Sequence, residues 1–134
     1  MKRIALICIV SLFALMGMAK SLPSTYVEVL YFHGKQRCVT CRAIEKCSKE
    51  VVDVDLASYK KSGKVRFRAV DISTPQGEKL AKKYRVSWSS LYINGWKGGK
   101  EKRNDLTSFA FKHARKHTAE FKKEVKKTIQ KNLP

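Results

Sequence analysis

The sequence predicts an α/β domain in which a central, mixed, four-stranded sheet is flanked by helices. Three observations carry this. A β-branched and aromatic run, Tyr26 to Phe32, precedes a long stretch with apolar residues at helical spacing, which leads to a second strand-like run, Val65 to Ile72. A crossover helix between two strands implies that they run parallel, with helices covering the sheet. Further on, Ser89 to Ile93 reads as a third strand, and Asn94-Gly95-Trp96-Lys97-Gly98-Gly99 as the turn of a hairpin that adds an antiparallel edge.

The elements follow in order. His33-Gly34-Lys35-Gln36-Arg37 is a polar turn that delivers the chain to Cys38. From there Ile44, Cys47, Val51 and Val54 recur at helical spacing among Arg42, Glu45, Lys46 and Lys49. The alternation of Val51 to Leu56 also suits a strand; we assign it to the helix, which Ser62-Gly63 ends. Thr74-Pro75 starts the next helix, a cap followed by proline at the first helical position, and Leu80, Ala81 and Tyr84 make its apolar face. Asp105 is placed to cap a helix carrying Leu106, Phe109, Ala110 and Ala114. A last amphipathic helix follows, with Phe121, Val125 and Ile129 spaced by four.

Ahead of this domain, Lys2-Arg3 opens an apolar stretch, Ile4 to Ala19, that closes on Gly17-Met18-Ala19. That is the layout of a cleavable secretory signal at residues 1–19, so the protein is expected to be exported. The stretch is shorter than the roughly 20 residues that span a bilayer, which makes an uncleaved anchor the second reading. Residues 20–25 form a polar lead-in, and 26–134 the folded domain. The formal net charge of the chain is +18, and without Lys2 and Arg3 it remains +16. Such a field attracts anionic partners. Export argues against nucleic acid, and most of the charge reads as solvated helix faces, such as Lys122-Lys123 and Lys126-Lys127. Weak attraction to an anionic membrane surface is compatible with it.

The chemistry converges on Cys38-Val39-Thr40-Cys41. A C-x-x-C pair at a helix start, just after a strand, is the arrangement of a redox dithiol. The helix end presents unpaired N–H groups and the positive end of the peptide dipoles, which favour a thiolate, and Arg37 and Arg42 add positive charge beside Cys38. On a helix the two sulfurs stand about 60° apart around the axis and about 4.5 Å along it, close enough to bridge. The stripe of Ile44, Cys47 and Val51 lies nearer Cys41, so Cys38 is expected to be the outward, attacking thiol and Cys41 the shielded, resolving one. A structural disulfide is the plain alternative, but a bridge across two residues constrains little of the unfolded chain. Cys47 falls on the far face from Cys38, roughly 13 Å along the axis, and reads as a buried core residue. His33 could approach Cys38 from the turn as a proton carrier, or join Cys38 and Cys41 as a third ligand to a soft metal ion; a solvated loop histidine is its ordinary reading.

With these residues in place, the chain resembles the thioredoxin superfamily. Tyr31-Phe32-His33-Gly34-Lys35-Gln36-Arg37-Cys38, Thr40-Cys41-Arg42-Ala43-Ile44-Glu45, Trp88-Ser89-Ser90-Leu91, Asn94-Gly95-Trp96 and Ala114-Arg115-Lys116 are similar to small exported bacterial proteins named as the ArsF family of nitrophenyl compound nitroreductase subunits. The resemblance implies a thioredoxin-like fold with an extra C-terminal helix and a periplasmic place. It also implies a working site of Cys38 and Cys41, supported by Arg37, Arg42, His33, Trp88, Ser89 and Ser90. The expected activity is thiol–disulfide exchange with a disulfide-bearing or dithiol protein, such as a membrane thiol-reductant transporter, with reducing equivalents relayed through the pair. Two other readings stay open: a dithiol module that binds a metal or metalloid ion without turnover, and an accessory subunit of a membrane redox system. No glycine-rich phosphate loop points to a flavin or nicotinamide, so the reversible Cys38–Cys41 disulfide is the one redox group expected. The sequence departs from ordinary thioredoxins in three ways. Val39-Thr40 replaces Gly-Pro, Ser89 or Ser90 stands where a cis-proline is usual, and no acidic residue occupies the strand near Leu30 and Tyr31 where a proton-relay aspartate is usual.

Overall fold

A computed structural model describes residues 21–134; the signal-like stretch read at 1–19 lies outside them. Strand β1 (Tyr26–His33) leads to helix α1 (Val39–Glu50), a π-helical segment (Val51–Asp55) and the short α2 (Ala57–Lys61). Strand β2 (Val65–Asp71), helix α3 (Pro75–Tyr84), strands β3 (Ser90–Lys97) and β4 (Lys100–Lys102), and helices α4 (Thr107–His113) and α5 (Thr118–Asn132) complete it. The sheet order is β2-β1-β3-β4. β1 runs parallel to β2, with Val27 opposite Val65, and antiparallel to β3, with Val29 opposite Ile93. The predicted α/β class, the mixed four-stranded sheet and the thioredoxin-like order of elements are all present.

β1 explains the layering. Its side chains alternate between faces, and both faces are covered. Val27, Val29 and Tyr31 pack beneath α1, the π-helical segment, α4 and α5, in a core that includes Ile44, Val51, Val52, Leu91, Ile93, Phe121, Val125 and Ile129. Leu30 and Phe32 face the other way, against Ala81 and Tyr84 of α3. The central strand is therefore apolar through most of its length, as expected for a strand buried on two sides.

Local chemistry sets the element ends. Thr74 caps α3, its hydroxyl accepting the Gly77 N–H at 3.1 Å, and Pro75 opens the helix. Asp105 caps α4 from just outside, its carboxylate accepting the Thr107 N–H at 2.9 Å. Two expectations change. The helix from Cys38 does continue through residues 51–55, but in π rather than α geometry. The hairpin turn is Gly98-Gly99 alone, both at positive φ (55° and 77°), and Asn94, Gly95, Trp96 and Lys97 belong to β3. Tertiary contacts override the turn propensity of Asn-Gly: Asn94 is fully buried and donates to Tyr84 Oη at 3.0 Å, while Gly95 lies close against Asn132 of α5. No described helix is long and apolar enough to cross a membrane.

Candidate functional site

The turn after β1 places Cys38 at the N-cap of α1, in extended conformation, with its sulfur accepting the Cys41 N–H at 3.0 Å. This donor and the helix dipole both favour negative charge on that sulfur. Cys38 and Cys41 are joined in a disulfide, their Cα atoms 5.0 Å apart. Cys38 is exposed and Cys41 is buried, at 7% exposure. The asymmetry is the one that the helical stripe predicts: one sulfur open to attack, the other against the core.

Two residues that the sequence reading did not place in the site stand beneath the pair. Tyr31, fully buried on β1, donates from Oη to the Cys41 carbonyl at 2.9 Å. Burial pushes the Tyr31 phenol above its ordinary value and Glu45's charge adds to the rise, while the Ser89 hydroxyl and Arg37's charge oppose it. Glu45 lies one helical turn beyond Cys41 on the same face and forms an ion pair with Arg37. Its position four residues after Cys41 was a signal in the sequence; its pairing with Arg37 required the turn geometry.

That pair changes the reading of two other residues. Arg37 is not a free charge beside Cys38: it bridges Glu45 and His33, its guanidinium 2.7 Å from His33 Nε2. His33 is no solvated loop residue but is 6% exposed and stacked on Tyr31, ring centroids 5.9 Å apart. Because Arg37 can only donate, Nε2 accepts, and the ring hydrogen lies on Nδ1, which is 3.0 Å from the Gly34 carbonyl. Both ring nitrogens are thus occupied. Among the described residues, no group of three histidine, cysteine or carboxylate side chains stands where it could hold a metal ion. Arg42 stays exposed and has no acidic partner among the described residues.

The structure also separates the two serines that enter β3. Ser89 faces Tyr31, whereas Ser90 is buried and its hydroxyl donates back to the Trp88 carbonyl at 3.2 Å. No cis peptide bond occurs among the described residues. Trp88 is 74% exposed and, with Thr107, Ser108 and Phe111, lines a shallow hollow of about 300 Å³. Cys47 is a free, buried thiol on the core face of α1. Burial raises its pKa above the ordinary thiol value, an effect that Lys122 opposes and Glu50 reinforces.

Fold and site together define a thioredoxin-like domain that carries a C-x-x-C disulfide at the N-terminus of its first helix. The chain is similar to a thioredoxin from Thermus thermophilus in solution, at 23% identity, with a TM-score of 0.53 over 80% of this chain and 76% of that one. A weaker similarity, at 16% identity and a TM-score of 0.39, links it to an uncharacterized thioredoxin-like protein from Porphyromonas gingivalis, covering 81% of this chain and 79% of that one. No family model matches the sequence, and no curated protein does.

Proposed function

We propose that the protein is an extracytoplasmic thiol–disulfide oxidoreductase that relays reducing equivalents through Cys38 and Cys41. The observation that carries this reading is the asymmetry of the pair. An exposed sulfur receives hydrogen-bond donation at a helix N-terminus, and its partner is enclosed three residues on. A bridge of this span is a poor staple for the unfolded chain, and its open sulfur is the one that exchange chemistry needs.

In the reduced state the Cys38 thiolate attacks a partner disulfide. One partner sulfur leaves as a thiolate and the other stays in a Cys38 mixed disulfide. Cys41 then gives up its proton and attacks Cys38 Sγ. The Cys38–Cys41 bond forms, the mixed bond breaks, and the second partner sulfur leaves and is protonated. The partner has gained two electrons and one proton, and the Cys38 thiolate–Cys41 thiol pair has lost them. Glu45, one turn beyond Cys41 and paired with Arg37, is the carboxylate that this reading assigns to receive the Cys41 proton. Export rests on the apolar stretch at 4–19, and a membrane thiol-reductant transporter is the electron source this reading assigns.

The test is a Cys41→Ser trap. With the resolving thiol gone, a mixed disulfide through Cys38 accumulates on the natural partner, and mass spectrometry of the adduct names that partner. A Cys38→Ser control must give no such adduct. If the two variants behave identically, the relay reading fails.

A further inference from the structure

The end of the sheet opposite the disulfide carries a second feature. Beside the β3–β4 turn and the end of α5 lies a groove of about 770 Å³, whose walls include Thr25, Trp96, Lys97, Lys100, Lys102 and Lys131. None of the four lysines has an acidic partner among the described residues. The acid in the wall, Glu101, is already committed to Tyr84, Asn94 and Arg103. Trp96 stacks on Tyr26 with ring centroids 6.0 Å apart. Arg66 lies 3.7 Å over the Tyr26 ring, and Lys83 5.8 Å from the Trp96 ring centre. The indole Nε1 of Trp96 is buried and has no acceptor among the described residues. The groove therefore combines unpaired cations with the Trp96 ring, a set that suits a phosphate-bearing headgroup with an apolar body.

The course of the chain says where such a headgroup comes from. Thr25 is part of the wall, and the apolar stretch ends at Ala19. The six Cα-to-Cα steps from Ala19 to Thr25, fully extended, reach at most about 20 Å. This inference rests on the second reading of that stretch, an uncleaved anchor: lysine and aromatic residues just beyond a retained apolar segment are the composition of a membrane–water interface. We propose that this groove docks on the anionic headgroups of a lipid bilayer, holding the Thr25 end of the sheet at the membrane and turning the disulfide away from it.

The probe is the full chain, synthesised cell-free with vesicles of phosphatidylglycerol and phosphatidylcholine or of phosphatidylcholine alone, in a Trp88→Phe background so that Trp96 is the one indole. Its apolar stretch is available to both vesicle types, and only the anionic vesicles should cover the groove. The expected result is that they shift Trp96 emission to the blue and shield it from acrylamide. The effect should weaken at high salt and vanish in Lys97→Glu/Lys100→Glu/Lys131→Glu, since each lysine near such a surface is worth about fivefold in partition. Equal quenching in the two vesicle types overturns the proposal, as does protection that survives the charge reversal. Protection by glycerol phosphate without vesicles would assign the groove to a soluble phosphate ester and overturn the bilayer.

Discussion

Cys47 and Cys38 are both unmodified thiols in the reduced chain, yet their surroundings give them opposite chemistry. Cys38 caps a helix in the open; Cys47 lies on the core face, where burial holds its proton. This has a measurable consequence in alkali. The thiol's ordinary value is 9.0 and the folded one is higher. Above pH 9.0 the unfolded chain therefore releases a proton that the folded chain keeps, and stability falls as pH rises. With Cys38–Cys41 oxidised, urea midpoints should decline above pH 9, where Cys47 acts first and the raised phenols of Tyr31, Tyr84 and Tyr92 add to it, and Cys47→Val should make the decline shallower at its onset. An unchanged slope in the variant would assign it elsewhere. The exposure of Cys38 and the burial of Cys41 and Cys47 were legible in helical spacing alone. Tyr31 and Glu45 were not, because what brings them to the site is a central strand tucked under α1 and an arginine reaching across a turn. His33 was misread for the same reason: its enclosure depends on Arg37, four residues on.

Among the elements, α3 shows how a single atom limits a helix start. Thr74 caps it, and Thr74→Ala should cost about 1 kcal/mol. Gly77 follows in the first turn, where propensity alone favours alanine by about 1 kcal/mol. A Cβ at Gly77 would overlap the Asp71 backbone carbonyl, which cannot swing aside as a side chain would. Gly77→Ala should therefore destabilise, by about 2–3 kcal/mol, more than loss of the cap; denaturant titration of the two variants orders them. Helix starts were readable because caps are local. The π-helical segment and the length of β3 were not. A widened turn at Val51–Asp55 leaves the apolar pattern nearly intact, and Asn94-Gly95 becomes strand only through contacts with Tyr84 and with Asn132, far along the chain.

At the scale of the whole molecule, the disulfide closes so small a loop that the fold does not lean on it. Chain entropy assigns such a loop about 2 kcal/mol at most, and the core is built from both faces of β1 instead. Reduction should leave the far-ultraviolet dichroism unchanged and lower the unfolding free energy by no more than that amount. A collapse of structure on reduction would make the bridge a staple after all. The fold class was legible because strand–helix–strand order and two-sided burial of β1 are both written in its residues. The groove was not, since its lysines come from β3, β4 and α5 and look in sequence like ordinary solvated charge.

β3 joins these two ends, and its length sets a height. Its eight residues run from Ser90, paired with Phe32 at the end of β1 that leads into the Cys38 turn, to Lys97 on the groove. Seven steps of about 3.3 Å make that roughly 23 Å. A domain resting on its lysines would hold Cys38 that far above the lipid surface, so any protein exchanging with it must raise its own cysteines to the same level. Thiols lying in the plane of the membrane would be out of range.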